Sequence, residues 1–448
     1  MKKLFFLALS MLVAASCCGG RGELLCNYGS TDISVAENEH LMLAGFAART
    51  QLSVGVHLPL RSHCLVISDG SKKVCIISND LMEMAPALAD SVREAVSTRS
   101  GLAKDRILLH CIHTHSAPRL RALMSTTYPN YEYQLRTLEA IVDNAVKVIC
   151  DEDAFRPFTM EIAQGETAIN VNRCEAGGLR DGALYAVRFV DVGGRPICAL
   201  INLACHPVCM GAESLLASSD YSGVARLAVA EEWGCEVFQL TGASGNMDPR
   251  GGCRLYDHAE AMGRELADTL KSLKFKDYDG DGGLAVASLQ VGLPYAAQEI
   301  TPQLIRSHAD SLSRVPTEFP DFAQDVRAWE GRVLEKIEAG GLENKLSFNM
   351  TAVNIGGLIF FFTQGEPFCE YQVALREAFP ERKIIFAGYT NGQNAYLPSQ
   401  HAFAVHKGYE YELDLMHVYI GSAFPLSDSA PAAYSSAARA AVQSVLLH

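Results

Sequence analysis

Short apolar runs that each end in a polar, turn-forming segment recur along this chain. Ile107–Ile112 leads into HTHSAP, Ala199–Ala204 into CHP, Val237–Leu240 into TGASGN, Leu358–Phe362 into TQGEP, and Ile384–Ala387 into GYTNGQN. Runs of this length are typical of strands that are buried on both faces. Open α/β sheets build their sites just beyond the carboxyl ends of such strands. The pattern therefore predicts an α/β protein whose functional residues lie in these connecting segments.

The remaining chain alternates between strand-like and helix-like stretches. Helices are predicted at Glu132–Val148, Ser222–Trp233 and Asp257–Leu273, with strands predicted between them. This alternation predicts an α/β fold with a mixed, substantially parallel sheet flanked by helices. The charged, proline-interrupted stretch at about 299–343 breaks the pattern. We interpret it as a helical insertion that borders the site.

The N-terminus has the features of an export signal, which we place at Met1–Gly20. Its apolar stretch, Leu4–Val13, follows two lysines and is too short to span a bilayer as a mature helix. The sequence then matches a bacterial lipobox with Cys17 as the lipidated residue; cleavage before Cys18, or plain secretion, is the alternative. Residues 21–448 are predicted to form a single catalytic domain of a periplasmic or cell-surface lipoprotein, held at a membrane surface by its lipid anchor.

The charge of the chain argues against one class of partner. The formal net charge is −13, and lysine and arginine are not clustered. A nucleic-acid-binding surface requires a basic patch, so we expect no nucleic-acid partner. The sequence does not predict an oligomeric state.

Two histidines that follow the first apolar run, His113 and His115, are candidates for metal chemistry. Residues i and i+2 of a strand point to the same face, so both imidazoles can serve one site. They can act as two ligands, as one ligand with an acid–base partner, or simply as a hydrogen-bonded pair. His206 and Glu366 follow other apolar runs. A site assembled from these four side chains is therefore predicted.

Seven motifs in order, from about Ile33 to His417, carry a resemblance to a known family. They are LAGF with GVH and Arg61, HTHS at 113–116, Asn172-Arg173, His206 with Asp220, Gly365-Glu366, the Asn391–Tyr396 segment, and Tyr409-Glu410. In this order and spacing they resemble the catalytic domain of the neutral/alkaline non-lysosomal ceramidases. Members of that family hydrolyse the amide of ceramide to a sphingoid base and a fatty acid.

The resemblance implies a site and a cofactor. The implied cofactor is Zn²⁺, with four ligands: His113, His206, Glu366 and Tyr396. The implied acid–base and oxyanion residues are His115, Arg173 and Tyr409. Two imidazoles and a carboxylate make an ordinary catalytic zinc site, whereas the tyrosine ligand depends on the resemblance alone. As alternatives, Arg173 forms a structural ion pair, Tyr411 takes the place of Tyr409, and Glu366 caps a helix.

The chain departs from the family pattern in three ways. In the segment GASGNMDP, Gly242 stands where ceramidases have an active-site serine, and Thr241 and Ser244 are the neighbouring hydroxyls. The chain ends soon after the last motif, so we expect no C-terminal immunoglobulin-like domain. The insertion at about 299–343 has no counterpart. The sequence therefore predicts a zinc hydrolase acting on ceramide or a related N-acyl lipid. The alternatives are a zinc amidase or esterase with another substrate and a non-catalytic ligand-binding lipoprotein.

Overall fold

The computed structural model describes most of the chain. It covers residues 23–120, 128–278, 280, 282–317, 319, 321–406, 409–420 and 422–447. The predicted signal and lipobox at 1–20 lie outside these residues. Within them, no helix is both long enough and apolar enough to cross a membrane.

Strands and helices alternate along the chain. The strands are β1 Leu25–Asp32, β2 Gly55–Val56, β3 Arg61–Ser68, β4 Lys73–Asn79, β5 Ile107–Cys111, β6 Arg156–Glu166, β7 Asn170–Asn172, β8 Ala183–Asp191, β9 Pro196–Leu203, β10 Leu216–Ala217, β11 Val237–Thr241, β12 Met247–Pro249, β13 Lys276–Asp277, β14 Leu284–Pro294, β15 Lys345–Ile355, β16 Leu358–Thr363, β17 Glu366–Pro367, β18 Ile384–Ala387 and β19 Tyr396–Leu397. The α-helices are α1 Pro86–Ser100, α2 Tyr131–Cys150, α3 Asp220–Trp233, α4 Tyr256–Ser272, α5 Pro302–Leu312, α6 Phe322–Glu338, α7 Cys369–Ala378, α8 Gln400–Val405, α9 His417–Ile420 and α10 Ala430–Leu446.

Two mixed sheets form the centre of the fold. The larger sheet has the order β11-β9-β8-β6-β1-β3-β4-β5, with β13 also paired to β6, and the smaller sheet has the order β14-β15-β16-β18. The predicted mixed α/β fold is confirmed. Parallel pairing is less extensive than the alternation led us to expect: in the larger sheet it is confined to β11–β9 and β4–β5, at the two edges. The middle is antiparallel: short turns join β3 to β4 and β8 to β9, and strands more distant in sequence form the antiparallel pairs β1–β3, β1–β6 and β6–β8.

The two sheets pack face to face, and helices cover their outer faces. Leu65 and Phe238 of the larger sheet share one buried cluster with Val353, Phe360 and Ile385 of the smaller sheet. Helices α1 to α4 cover the other face of the larger sheet. Helices α5, α6, α7 and α10 cover the other face of the smaller one. The result is four layers, which bury both faces of the inner strands.

The strand ends that carry the candidate site are joined across the two sheets by His110. Its Nδ1 lies 2.9 Å from the carbonyl of Gly388 after β18, and its Nε2 accepts from the backbone N–H of Thr241 at 3.0 Å. Burial lowers the pKa of His110 to about 3. With both ring nitrogens engaged, His110 acts as a structural link that brings β5, β11 and β18 together.

The predicted insertion contains α5 and α6, which pack on each other and on the smaller sheet. Trp329 of α6 is fully buried there, and its indole N–H donates to the carbonyl of Ser422 at 2.8 Å. His308 of α5 lies 3.2 Å from His417 of α9, measured between the two Nε2 atoms. The insertion is thereby attached to the C-terminal segment that follows the last motifs.

Candidate metal centre

His113 and His115 meet in a turn beyond the end of β5. The strand stops at Cys111, and His113 has a left-handed backbone with φ of 72°. The expectation that strand periodicity would place the two imidazoles on one face is therefore wrong in its mechanism. The pair is brought together by the turn, and the two Nε2 atoms lie 3.2 Å apart. A positive φ is uncommon for a residue with a side chain and costs free energy, which the surrounding structure has to offset.

Three imidazoles converge where the strands of the larger sheet end. His113, His115 and His206 are all buried, and one ring nitrogen from each lies within 4.8 Å of the others. The Nδ1 of His113 lies 3.0 Å from the carbonyl oxygen of Met82, and that of His206 lies 3.3 Å from the carbonyl oxygen of Met247. A carbonyl oxygen only accepts, so the proton is on Nδ1. This leaves the Nε2 lone pair of both rings directed into the site, the tautomer that metal-binding histidines usually adopt.

Glu366 brings a carboxylate to the same point. Its Oε2 lies 2.9 Å from Nε2 of His206 and 3.2 Å from Nε2 of His113. Its Oε1 accepts a short hydrogen bond from the side-chain amide of Gln393. Two imidazole lone pairs and a carboxylate oxygen repel one another unless a proton or a metal ion lies among them. The geometry therefore calls for a shared cation.

The ionisation of the buried pair agrees with this arrangement. Burial lowers the pKa of His113, but the charge and hydrogen bond of Glu366 outweigh burial, so the net shift is upward. Burial raises the pKa of Glu366, but His113 and His206 outweigh it and hold that pKa well below its usual value. Without metal, a proton on His113 thus completes an ion pair with Glu366. Metal binding releases such a proton.

His115 lies beside this pair with a different environment. Its ring is covered by the edge of Phe46 and by Gly45, where an added Cβ would come within 2.3 Å of the imidazole. Its Nδ1 is buried without a partner among the described residues. Burial and the charges of His113 and His206 hold the pKa of His115 well below its usual value. His115 is therefore a neutral imidazole at the edge of the cluster.

Tyr396 and Arg173 complete the polar side of the centre. Glu366 and Tyr396 are register partners in the parallel pair of β17 and β19. Arg173 donates to the Tyr396 hydroxyl at 3.2 Å, to Asp248 at 3.2 Å and to Glu412 at 2.9 Å. The ion-pair alternative for Arg173 thus has a structural basis. The Nε of Arg173 is buried and lacks a partner among the described residues, so it remains a donor for the predicted oxyanion role.

Tyr409 is the predicted site residue that the structure does not bring to the cluster. Its side chain is 56% exposed. Tyr411 instead packs against Tyr396, with ring centroids 5.9 Å apart, and burial together with the charge of Glu366 raises its pKa. Tyr411 is the first residue of a π-helical turn, Tyr411–Leu415. The alternative of Tyr411 in place of Tyr409 is therefore the one that fits the structure.

Three contributors to this centre were missed from the sequence. Tyr389 and Gln393 lie in the segment after β18, which was expected to carry site residues. Gln393 falls inside the Asn391–Tyr396 motif but was not singled out, and Tyr389 lies just before that motif. Glu83 follows β4, between two residues whose backbone carbonyls hold site residues. The carbonyl of Met82 accepts from Nδ1 of His113, and the carbonyl of Met84 accepts from the backbone N–H of Gln393 at 2.8 Å. No sequence signal beyond its position after a strand identified Glu83.

Glu83 makes the stability of the metal-free protein sensitive to pH. Burial, with a smaller contribution from Glu366, raises the pKa of Glu83 from 4.5 to about 7, and its Oε2 is buried without a partner among the described residues. Between these values the folded state binds more protons than the unfolded state, so rising pH destabilises it. We expect Glu83→Gln to remove a cost of roughly 3 kcal/mol at pH 8, because one pKa unit corresponds to about 1.4 kcal/mol.

Urea unfolding of the metal-free wild type and Glu83→Gln at pH 5 and pH 8 tests this expectation. The variant should gain stability over the wild type mainly at pH 8. The exposed Glu139→Gln variant serves as the matched control and should show no such gain. An equal difference at both pH values would mean that ionisation of Glu83 is not the cause.

The donor set fits the implied zinc. Zn²⁺ is held by imidazole nitrogens and carboxylate oxygens, and a catalytic site uses three protein ligands of this kind with a position left for substrate or water. His113, His206 and Glu366 meet these requirements, with the second ring nitrogen of each histidine held by a backbone carbonyl. A four-cysteine zinc site is not an alternative here, because within the described part of the chain no cysteine belongs to a group of three or more potential metal ligands.

Comparisons with known proteins agree with the sequence motifs. Residues 25–240 match the sequence profile of the neutral/alkaline non-lysosomal ceramidase N-terminal domain. A solved neutral ceramidase from Pseudomonas aeruginosa superposes with a TM-score of 0.67 at 18% identity, over 94% of this chain and 75% of that chain. A solved ceramidase complexed with C2 gives 0.66 at 17% identity, with the same coverage of 94% and 75%. These structural matches establish the fold. Over residues 25–240 the chain is therefore similar in sequence to the neutral/alkaline non-lysosomal ceramidase N-terminal domain, and over most of its length it has the fold of the solved neutral ceramidase.

Proposed function

We propose that this protein is a zinc-dependent hydrolase that cleaves the amide bond of ceramide or a related N-acyl lipid. The observation that carries the proposal is the convergence of His113, His206 and Glu366, with both imidazoles held through Nδ1 so that their Nε2 atoms face the carboxylate. The match of residues 25–240 to the ceramidase N-terminal domain supports a hydrolase. The lipid substrate is supported by the solved ceramidase complexed with C2, a structure with the same fold. A lipid on Cys17, as predicted, would hold this site at a membrane surface.

The polar side chains of the centre divide into those that would hold the zinc and those that act beside it. His113, His206, Glu366 and Tyr396 would hold the zinc. When bound, zinc polarises an amide carbonyl and lowers the pKa of water to about 7. Arg173 positions the Tyr396 hydroxyl through its 3.2 Å hydrogen bond.

Proton transfer falls to His115. The attacking water forms a bond to the amide carbon and gives up a proton, which the neutral imidazole accepts at Nε2. As the carbon–nitrogen bond breaks, His115 returns this proton to the departing amine. The products are a fatty acid and a free amine, so atoms and charge balance without a further reactant.

The proposal is tested by assaying one purified sample for both metal and activity. We expect about one zinc per chain and release of fatty acid from ceramide. Ester and short-chain N-acyl compounds assayed in parallel test the alternative substrates. If the protein binds zinc but hydrolyses only the ester or short-chain compounds, the proposed lipid substrate is wrong and those compounds represent the substrate class. A folded protein that binds no divalent metal would rule out the proposed chemistry.

A further inference from the structure

Tyr389 is fixed between the two segments that carry His113 and Glu366. Its backbone N–H donates to the carbonyl of Gly365 at 3.0 Å, and its carbonyl accepts from Cys111 at 3.1 Å. Its backbone φ is 52°, a left-handed conformation that tyrosine adopts only when its surroundings hold it there. The buried ring stacks on the imidazole of His113, with centroids 4.3 Å apart and planes at 28°. The tyrosine therefore has one orientation relative to the metal centre.

The Tyr389 hydroxyl connects Glu366 to a serine. It lies 2.7 Å from the hydroxyl of Ser244 and donates to Oε2 of Glu366 at 3.5 Å. A phenol has an ordinary pKa of about 10, so it carries its proton in the neutral range, and the carboxylate can only accept. The hydroxyls thus form a directed chain in which Ser244 donates to Tyr389 and Tyr389 donates to the same carboxylate oxygen that faces both imidazoles.

The neighbouring positions do not present a hydroxyl to Glu366. A Cβ at Gly242 would lie 2.6 Å from the side-chain oxygen of Gln372 and 3.2 Å from the carbonyl oxygen of Leu203, so a serine there would require Gln372, which accepts from the backbone N–H of Ala243, to shift. The Thr241 hydroxyl donates to the carbonyl of Ile112 at 2.8 Å. Of the two hydroxyl residues that flank Gly242, it is Ser244 that is turned toward the centre.

We infer that Tyr389, oriented by Ser244, is a positioning residue that holds the Glu366 carboxylate in the geometry required of a zinc ligand. This inference rests on the proposed zinc site. Partners that hold a ligand in place typically contribute 10–100-fold in metal affinity. A hydroxyl–carboxylate contact of 3.5 Å is long, so we expect an effect near about 10-fold, the lower end of that range.

The test measures zinc affinity of the metal-free protein by chelator competition. Tyr389→Phe keeps the ring stacked on His113 and should weaken zinc binding by about 10-fold. Ser244→Ala should have a smaller effect in the same direction. The double variant should bind zinc no more weakly than Tyr389→Phe alone, because the serine acts only through the phenol. Tyr434→Phe is the matched control, since it removes a buried tyrosine hydroxyl that donates to Thr363.

Cobalt substitution provides a second measurement that a purely structural role would not change. The visible absorption bands of bound Co²⁺ depend on the carboxylate geometry, so they should shift in Tyr389→Phe and stay unchanged in Tyr434→Phe. Wild-type affinity and an unaltered cobalt spectrum in Tyr389→Phe would overturn the inference. If the losses of zinc affinity in the two single variants add up in the double variant, Ser244 does not act through Tyr389. Failure of the wild type itself to bind zinc would instead overturn the proposed function.

Discussion

Glu366→Gln is expected to reduce zinc affinity by more than about 100-fold and to remove most of the hydrolysis. The carboxylate is the one anionic group among the four proposed ligands, and its Oε2 is within 3.2 Å of both imidazole Nε2 atoms. Loss of a residue that only supports a ligand costs about 10–100-fold, so loss of a charged ligand should exceed that range. Chelator competition and metal analysis of the purified variant measure the change. Glutamine keeps the size of the side chain, which favours a folded protein.

Glu370→Gln is the matched control for this prediction. Glu370 lies four residues further on, at the start of α7, and accepts from Asn246 at 3.0 Å and from Ser399 at 2.9 Å rather than from a site histidine. The Glu370→Gln variant should therefore bind zinc as the wild type does. Wild-type affinity in Glu366→Gln would exclude the carboxylate as a ligand and leave the three imidazoles of His113, His115 and His206 as the ligand set.

The local elements of this fold were predictable because their signals are local. The hairpins formed by β3 with β4 and by β15 with β16 follow from apolar runs that flank short turns. The position of His206 and Glu366 just after buried strands followed from the same reading. The antiparallel middle of the larger sheet did not, because strand order depends on pairings between segments far apart in sequence, such as β1 with β6.

The finer errors at the site have a common physical origin. The left-handed backbone of His113 and the π-helical turn at Tyr411 are single departures from regular geometry, and regular periodicity cannot anticipate them. Tyr409 and Tyr411 lie two residues apart in nearly the same local sequence, and it is tertiary packing against Tyr396 that selects Tyr411. Tyr389 was missed because its role depends on contacts with His113, Ser244 and Glu366, which are distant in the chain.

His115→Ala is expected to retain zinc while slowing hydrolysis by about 10²–10⁴-fold, the usual contribution of general acid–base catalysis. His113→Ala should lose both metal and hydrolysis, although the two histidines are only two residues apart. The reason is their environment. The Nδ1 of His113 is held by the carbonyl of Met82 and its Nε2 faces Glu366, whereas the Nδ1 of His115 has no partner among the described residues. Metal analysis and steady-state kinetics on both variants separate the two roles.

The pH dependence of kcat/KM provides an independent measurement of the role of His115. Burial and the charges of His113 and His206 hold the pKa of His115 well below its usual value, so the ring is a neutral base through the neutral range. Activity that depends on this base should fall as pH drops through that lowered pKa. In the plot of kcat/KM against pH, the fall on the acidic side that is due to His115 should therefore occur below the ordinary imidazole pKa of about 6.5. This fall should be absent in His115→Ala. The exposed His401→Ala variant should keep both the rate and this fall on the acidic side. If His115→Ala loses zinc as completely as His113→Ala, then His115 is a ligand, and another group must carry the proton to the departing amine.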